Sequence, residues 1–361
     1  MTPTAQLYAA GQSLWLDTIT RDLVTSGTLQ RYIDELSVTG LTSNPTIYEK
    51  AIRGSDAYDD HIRDGLEAGR SSEEVFFALA VDDLGRAADL FRPVFDRTGG
   101  FDGFVSLEVS PLLAYDAAAT IEQAKRLHAE AGRPNLFIKI PGTAEGLPAV
   151  EEAIFSGVPV NVTLLFTVDH YRAAADAYLK GLERRVESGL DANVPSVASL
   201  FISRWDVAVA EQVPAELRNR LGLAIGRDAY RAYRELLDSD RWQRLANHGA
   251  RAQRLLYAST GTKDPEAPDT LYVDGFASPN TVNTMPENTL LAFDDHGEVP
   301  AMLDPAGGDV AQVLAAFEAA GIDLGALGQR LQEQGADAFV ASWNELIERI
   351  SSKGSELIAA T

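Results

Sequence analysis

The sequence predicts an α/β fold: a closed (β/α)8 barrel of the TIM-barrel type, with helical insertions and extra C-terminal helices. Three observations carry this expectation. Eight short apolar, β-branched runs recur along the first three quarters of the 361 residues. Helix-periodic segments separate them, as parallel βαβ units require. No G-x-G-x-x-G opens the first βα turn, which argues against an open doubly wound sheet.

In chain order the runs are LWLDT (14–18), SVTGLTSNP (37–45), FVSLEVS (104–110) and LFIKIPG (136–142), then VPVNVTLLF (158–166), PSVASLFIS (195–203), RLLYAST (254–260) and TLYVDGF (270–276). Between them, AATIEQAKRLHAEAG and TVDHYRAAADAYLKGLERRV place apolar residues at i, i+3 and i+4, the helical period. Residues 53–99 and 204–249 read as helical insertions after the second and sixth strands. Residues 306–361 read as C-terminal helices. No Pro/Gly/Ser-rich linker divides the chain, so 1–361 is expected to be one barrel domain.

Composition narrows the function. The chain carries 31 Lys and Arg against 53 Asp and Glu, a formal net charge of -22. Such a field repels nucleic acid and anionic membrane, so an anionic substrate would need a local cluster of cations. With no cysteine, disulfides, thiolate metal sites and a cysteine nucleophile are excluded. The histidines, at 61, 128, 170, 248 and 296, show no ligand spacing, so no metal is expected. The N-terminus has no basic n-region and no long apolar run follows, so a soluble cytoplasmic protein is expected. Homo-oligomerisation is left open.

The parity of the strands points to a polar interior. In FVSLEVS, Val105, Leu107 and Val109 oppose Ser106, Glu108 and Ser110. Ile138 and Ile140 oppose Phe137 and Lys139; Val158, Val160 and Val162 oppose Asn161 and Thr163; Leu14 and Leu16 oppose Trp15 and Asp17. The apolar faces suit the outer helices, so the others face into the barrel. A single inward Ser or Thr is ordinarily a satisfied core group. A lysine and two acids converging near the carboxyl ends of strands are not so easily dismissed, because each buried charge costs several kcal/mol unless paired.

Of six lysines, Lys125 and Lys180 lie on amphipathic helices, Lys353 is near the C-terminus, Lys50 follows an Asn-Pro turn and Lys263 sits in a polar loop. Only Lys139 is embedded in an apolar strand. An amine held out of water is more easily deprotonated, and a neutral amine attacks a ketone to form an imine. The protonated imine is an electron sink for breaking a carbon–carbon bond. Glu108, with Thr163 nearby, is suited to hold a water for the dehydration steps. Asp17 is suited to take the substrate hydroxyl proton.

The strings LTSNPTIYEKAI, SLEVSPLLAYD, FIKIPGTAEG and NVTLLF resemble the signature segments of the transaldolase family, in order and at similar spacing, over about residues 12–290. The resemblance implies a cofactor-free class I aldolase-type barrel. It would carry a dihydroxyacetone unit from sedoheptulose 7-phosphate or fructose 6-phosphate to an aldose phosphate in the pentose phosphate pathway. Lys139 matches the Schiff-base lysine, Asp17 the acid that moves the hydroxyl proton, and Glu108 and Thr163 the pair holding the catalytic water. Asn44 and Asn161 match side chains that bind the ketol unit. Ser199 and Arg204 look like a phosphate-binding Ser and Arg.

One departure stands out. Many relatives have a second Ser followed two residues later by Arg, whereas here Ser259 is followed by Thr260-Gly261-Thr262-Lys263. Ser259 fits, and Lys263 is the expected substitute cation. Phe201 occupies a position that is typically Tyr in related fructose-6-phosphate aldolases, and Phe cannot donate to a water. That favours transfer over hydrolytic release. Two alternatives stay open at this level: a fructose-6-phosphate aldolase-type lyase, separated by whether turnover needs an acceptor aldehyde, and a non-catalytic sugar-phosphate-binding barrel.

Overall fold

The computed structural model describes residues 1–299 and 301–359. Eight parallel strands close a barrel in sequence order. They are β1 (Gln12–Leu16), β2 (Val38–Leu41), β3 (Phe104–Glu108), β4 (Leu136–Pro141), β5 (Val160–Leu165), β6 (Ser196–Phe201), β7 (Arg254–Ala258) and β8 (Thr281–Met285).

The first seven expected runs each supply a strand; the eighth does not. TLYVDGF folds as a short helix, Leu271–Asp274. Thr270 O accepts from Val273 N (2.8 Å) and Asp274 N (3.0 Å), and the Thr270 hydroxyl donates to Asp274 Oδ2 at 2.6 Å. These local bonds satisfy the backbone without a strand partner. The strand that closes the barrel is the more polar TVNTM, whose Thr and Asn disguise it. Both are engaged in place: Gln12 Nε2 donates to Thr281 Oγ1 (2.8 Å), and Asn283 Nδ2 donates to Tyr272 O (3.2 Å), although Asn283 Oδ1 finds no partner among the described residues.

The inward columns change character from base to mouth. At the base, Phe104 and Phe137 stack with centroids 4.2 Å apart and Trp15 lies 6.1 Å from Phe137. Gly40 in β2 makes room for them, since a Cβ there would lie 2.7 Å from the Trp15 ring. Buried Arg254 is held by Ser13 and by Thr281 O (2.8 Å), and Trp15 Nε1 donates to Asp102 (2.9 Å). Two residues above Trp15 comes Asp17, and two above Phe137 comes Lys139. The barrel is therefore plugged by aromatics below and polar above, which locates the reactive end at the mouth.

Helices Asp59–Glu67 and Ser72–Arg97 lie between β2 and β3, the second opened by a capping box of Ser71 and Glu74. Helices Ser203–Val209, Leu221–Leu237 and Asp240–Asn247 lie between β6 and β7. After β8 come Glu287–His296, Val310–Ala319 and the 36-residue C-terminal helix Leu324–Ala359. That last helix packs onto the mouth. Gln332 Nε2 donates to Gly142 O (3.1 Å) and Leu164 O (2.9 Å), beyond the reactive ends of β4 and within β5. Further along, Trp343 meets Phe76 edge-on at 5.1 Å, and Lys353 pairs with Asp59 at 2.6 Å. Among the described residues, no single helix is long and apolar enough to cross a membrane.

Candidate active site

Strand register brings the reactive groups together. Glu108 is paired in register with Lys139 across β3–β4, and Lys139 with Asn161 across β4–β5, with Thr163 opposite Pro141 one step higher. Lys139 Nζ donates to Glu108 Oε2 at 3.2 Å and to Ser43 O at 3.2 Å, with the Phe339 ring centroid 5.5 Å away. Both members of the pair are almost wholly buried. Burial pushes the Glu108 carboxyl above the ordinary glutamate value; Lys139 pulls it back and Asp17 adds to the rise.

Glu108 has a second oxygen, Oε1, which is buried without a partner among the described residues, and so is Thr163 Oγ1. Two orphaned polar atoms on β3 and β5, flanking the lysine strand, suit a bridging water. The placement of Thr163 has a local cause. The β5–β6 register slips between Val162 and Leu165, and Leu164 takes a left-handed backbone with φ 60°. This bulge re-aims the strand end, as such irregularities commonly do beside reactive sites.

Asp17, just past the end of β1, accepts from the Thr42 hydroxyl at 2.6 Å, and Thr42 is in turn 2.8 Å from the Thr284 hydroxyl. Asn44 caps the helix Pro45–Gly54: its Oδ1 accepts from Ile47 N (3.1 Å), with Pro45 at the first helical position. Asn161 is fully buried and doubly tied, donating to Ser106 Oγ (3.1 Å) and accepting from Ser199 Oγ (2.7 Å). Ser199, for which the family resemblance implies phosphate binding, donates its proton to Asn161 inside the barrel.

Asp17, Asn44, Lys139, Thr163 and Ser199 line one cavity of about 290 Å³ at the mouth, together with Phe201, Arg204, Ser259, Lys263 and Phe339, while Glu108 and Asn161 reach it only through Lys139 and Ser199. Arg204 makes no ion pair among the described residues; its guanidinium lies over the Phe201 ring at 5.4 Å, and burial disfavours its charge. A half-buried unpaired cation in a chain this acidic is a ready anion site. Ser259 sits beside it in a left-handed conformation (φ 56°), its hydroxyl 3.0 Å from that of Ser203. A larger neighbouring cavity, about 400 Å³, shares Lys263 and is lined by Arg218 as well as by Asp206, Glu211 and Asp264, so its charge is mixed. Among the described residues, no His, Asp and Glu cluster is arranged to hold a metal.

Sequence reasoning missed several contributors. Thr42 and Thr284 support Asp17, and the Ser43 carbonyl supports Lys139; Thr42 and Ser43 lie within the SVTGLTSNP run, which was read only for Asn44. Lys50, which the sequence shows only as following an Asn-Pro turn, lines the cavity. Phe339 arrives from a helix 200 residues after Lys139, with no local signal at all.

Comparison with known proteins decides the family. The family model described as Transaldolase/Fructose-6-phosphate aldolase matches residues 14–350. The transaldolase of Thermobifida fusca is 46% identical over 360 residues, covering 97% of this chain and 98% of the relative. Those of Frankia alni (44%, 97% of each chain) and Acidothermus cellulolyticus (46%, 97% of this chain and 96% of the relative) are comparably similar. The chain belongs to the transaldolase family. It is accordingly an enzyme of the transferase class.

Proposed function

We propose that this transaldolase-family enzyme carries a dihydroxyacetone unit on Lys139, taken from fructose 6-phosphate or sedoheptulose 7-phosphate and given to an aldose phosphate. The observation that carries the reading is the buried Lys139–Glu108 pair at the mouth, facing a cavity that also contains Asp17 and the unpaired Arg204.

Passing the Lys139 proton to Glu108 frees the amine, and the raised carboxyl of Glu108 favours that transfer. The amine adds to the C2 ketone. Loss of water from the carbinolamine gives the imine, with Glu108 and Thr163 holding the water that shuttles the proton. Asp17 takes the C4 hydroxyl proton, the C3–C4 bond breaks into the iminium, and the first aldose leaves. The enamine then attacks the acceptor aldehyde, Asp17 returns the proton, and hydrolysis frees the new ketose. The imine is the electron sink, so this chemistry calls on no cofactor.

Asn44 and Asn161 are assigned to the ketol hydroxyls, with Ser199 acting through Asn161. Arg204, Ser259 and Lys263 are assigned to the phosphate, and Phe201 to the apolar wall. The 1–361 chain would act as one catalytic unit, and cytoplasmic residence fits substrates that are made and held inside cells. Turnover of fructose 6-phosphate with and without erythrose 4-phosphate tests the transfer. Strict dependence on the acceptor is expected, whereas equal turnover without it would favour a lyase.

A further inference from the structure

We propose that Phe339, on the C-terminal helix, is a specificity-determining residue: its ring roofs Lys139 and steers the covalent enamine towards transfer rather than release. The inference rests on the Schiff-base reading above and deepens it.

Gly328, Gln332, Gly335 and Phe339 recur at intervals of four, three and four, so they share one face of the helix. Two of them lack side chains where the helix meets the barrel. A Cβ on Gly328 would lie 2.2 Å from Thr167, and one on Gly335 would lie 3.1 Å from Leu164 and 3.3 Å from Arg204. The helix therefore seats closely, and the two hydrogen bonds from Gln332 to Gly142 O and Leu164 O fix its register. Two turns on, Phe339 is delivered over Lys139 Nζ at 5.5 Å. Its ring also lies 6.4 Å from Phe201, which is 5.3 Å from Phe166. Glu108, Asp17 and Thr163 present oxygen to the amine's surroundings; this aromatic wall presents none.

The chemistry gives the wall a task. In the enamine, the nucleophilic carbon has two fates. It attacks the acceptor's carbonyl carbon, forming the C–C bond while the acceptor oxygen takes a proton from Asp17 and the nitrogen becomes an iminium. Alternatively the same carbon takes a proton, the iminium forms, and water hydrolyses it to dihydroxyacetone and the free Lys139 amine. The second fate needs a proton donor at that carbon, and a ring without donor or acceptor, buried against a second ring, keeps one away.

The test is the ratio of dihydroxyacetone released to product formed on erythrose 4-phosphate, in the full chain carrying Phe339→Ala or Phe339→Leu. Borohydride trapping on Lys139 and the melting temperature are followed in parallel. The ratio should rise roughly tenfold or more in Phe339→Ala, and less in Phe339→Leu, which keeps apolar cover if the smaller residue disturbs the helix. A merely structural role would lower total turnover and leave the ratio alone. An unchanged ratio in both variants, with the adduct still trapped, overturns the assignment. Absence of the adduct from the unsubstituted enzyme would sink the Schiff-base reading itself, and this inference with it.

Discussion

Lys139 and Glu108 face each other at 3.2 Å across paired strands, a buried ion pair whose carboxylate keeps a second oxygen free. Removing one partner strands the other charge out of water. The pair's protonation should therefore govern the acid side of activity. Glu108 is held above the ordinary glutamate value by burial, so it gains its proton at a higher pH in the folded chain than in the unfolded one. Its protonated form favours the fold as pH falls through that raised value, and this contribution is lost as pH rises through it. Activity runs the other way, since a Glu108 already protonated cannot accept from Lys139. The expected kcat/KM profile falls on its acid limb above the usual glutamate range. Glu108→Gln should flatten that limb and lower kcat by about 10²–10⁴-fold. An unchanged limb in the variant would remove Glu108 from the proton path.

Thr42 donates to Asp17 and meets Thr284, so one hydroxyl sets the orientation of the acid. Thr42→Val keeps the shape and removes the bond. A hydrogen bond to a charged group contributes roughly 1.5–3 kcal/mol, so kcat should drop about tenfold or more, with the Michaelis constant little affected. A wild-type kcat would mean that Asp17 is oriented by other means.

Arg204 is the candidate phosphate anchor because no carboxylate among the described residues pairs with it. Arg204→Ala should lower kcat/KM for fructose 6-phosphate by roughly ten- to a hundredfold and barely change it for unphosphorylated fructose. Lys263→Ala should raise the Michaelis constant for the phosphorylated sugar by a smaller factor, because a flexible ammonium on a loop binds as a point charge. If the Michaelis constant stays put in Lys263→Ala, the second cation of this site is elsewhere, and Lys50 across the mouth is the next to substitute.

Gln332 ties the C-terminal helix to Gly142 and Leu164. Gln332→Met preserves volume and leaves two carbonyls unpaired, at about 1–3 kcal/mol each when they stay dry. Thermal unfolding should shift down by several degrees, and limited proteolysis should open the helix first. Equal melting temperatures would show that the aromatic contacts of Trp343 and the Lys353–Asp59 pair hold the helix without it.

Much of the site's geometry was legible because barrel strands alternate their side chains over most of their length. The period of two in FVSLEVS, LFIKIPG and VPVNVTLLF was enough to turn Glu108, Lys139, Asn161 and Thr163 inward together. The same logic failed where polarity and local turns misled it: TVNTM closes the barrel, while TLYVDGF bends back on Thr270. Support for Asp17 and Lys139 was hidden because a short run such as SVTGLTSNP gives no hint that a hydroxyl at 42 and a carbonyl at 43 reach across to other strands. Phe339 and Gln332 were beyond reach for another reason. An apolar stripe on a helix says that it packs, but where it packs is set by a surface assembled from distant strand ends.

Every role assigned above depends on Lys139 as the proposed covalent carrier. Borohydride reduction in the presence of fructose 6-phosphate, followed by peptide mapping, is the decisive experiment. A three-carbon adduct on Lys139 is expected, which erythrose 4-phosphate discharges when added before the reductant. No adduct, or an adduct on another of the six lysines, would contradict it.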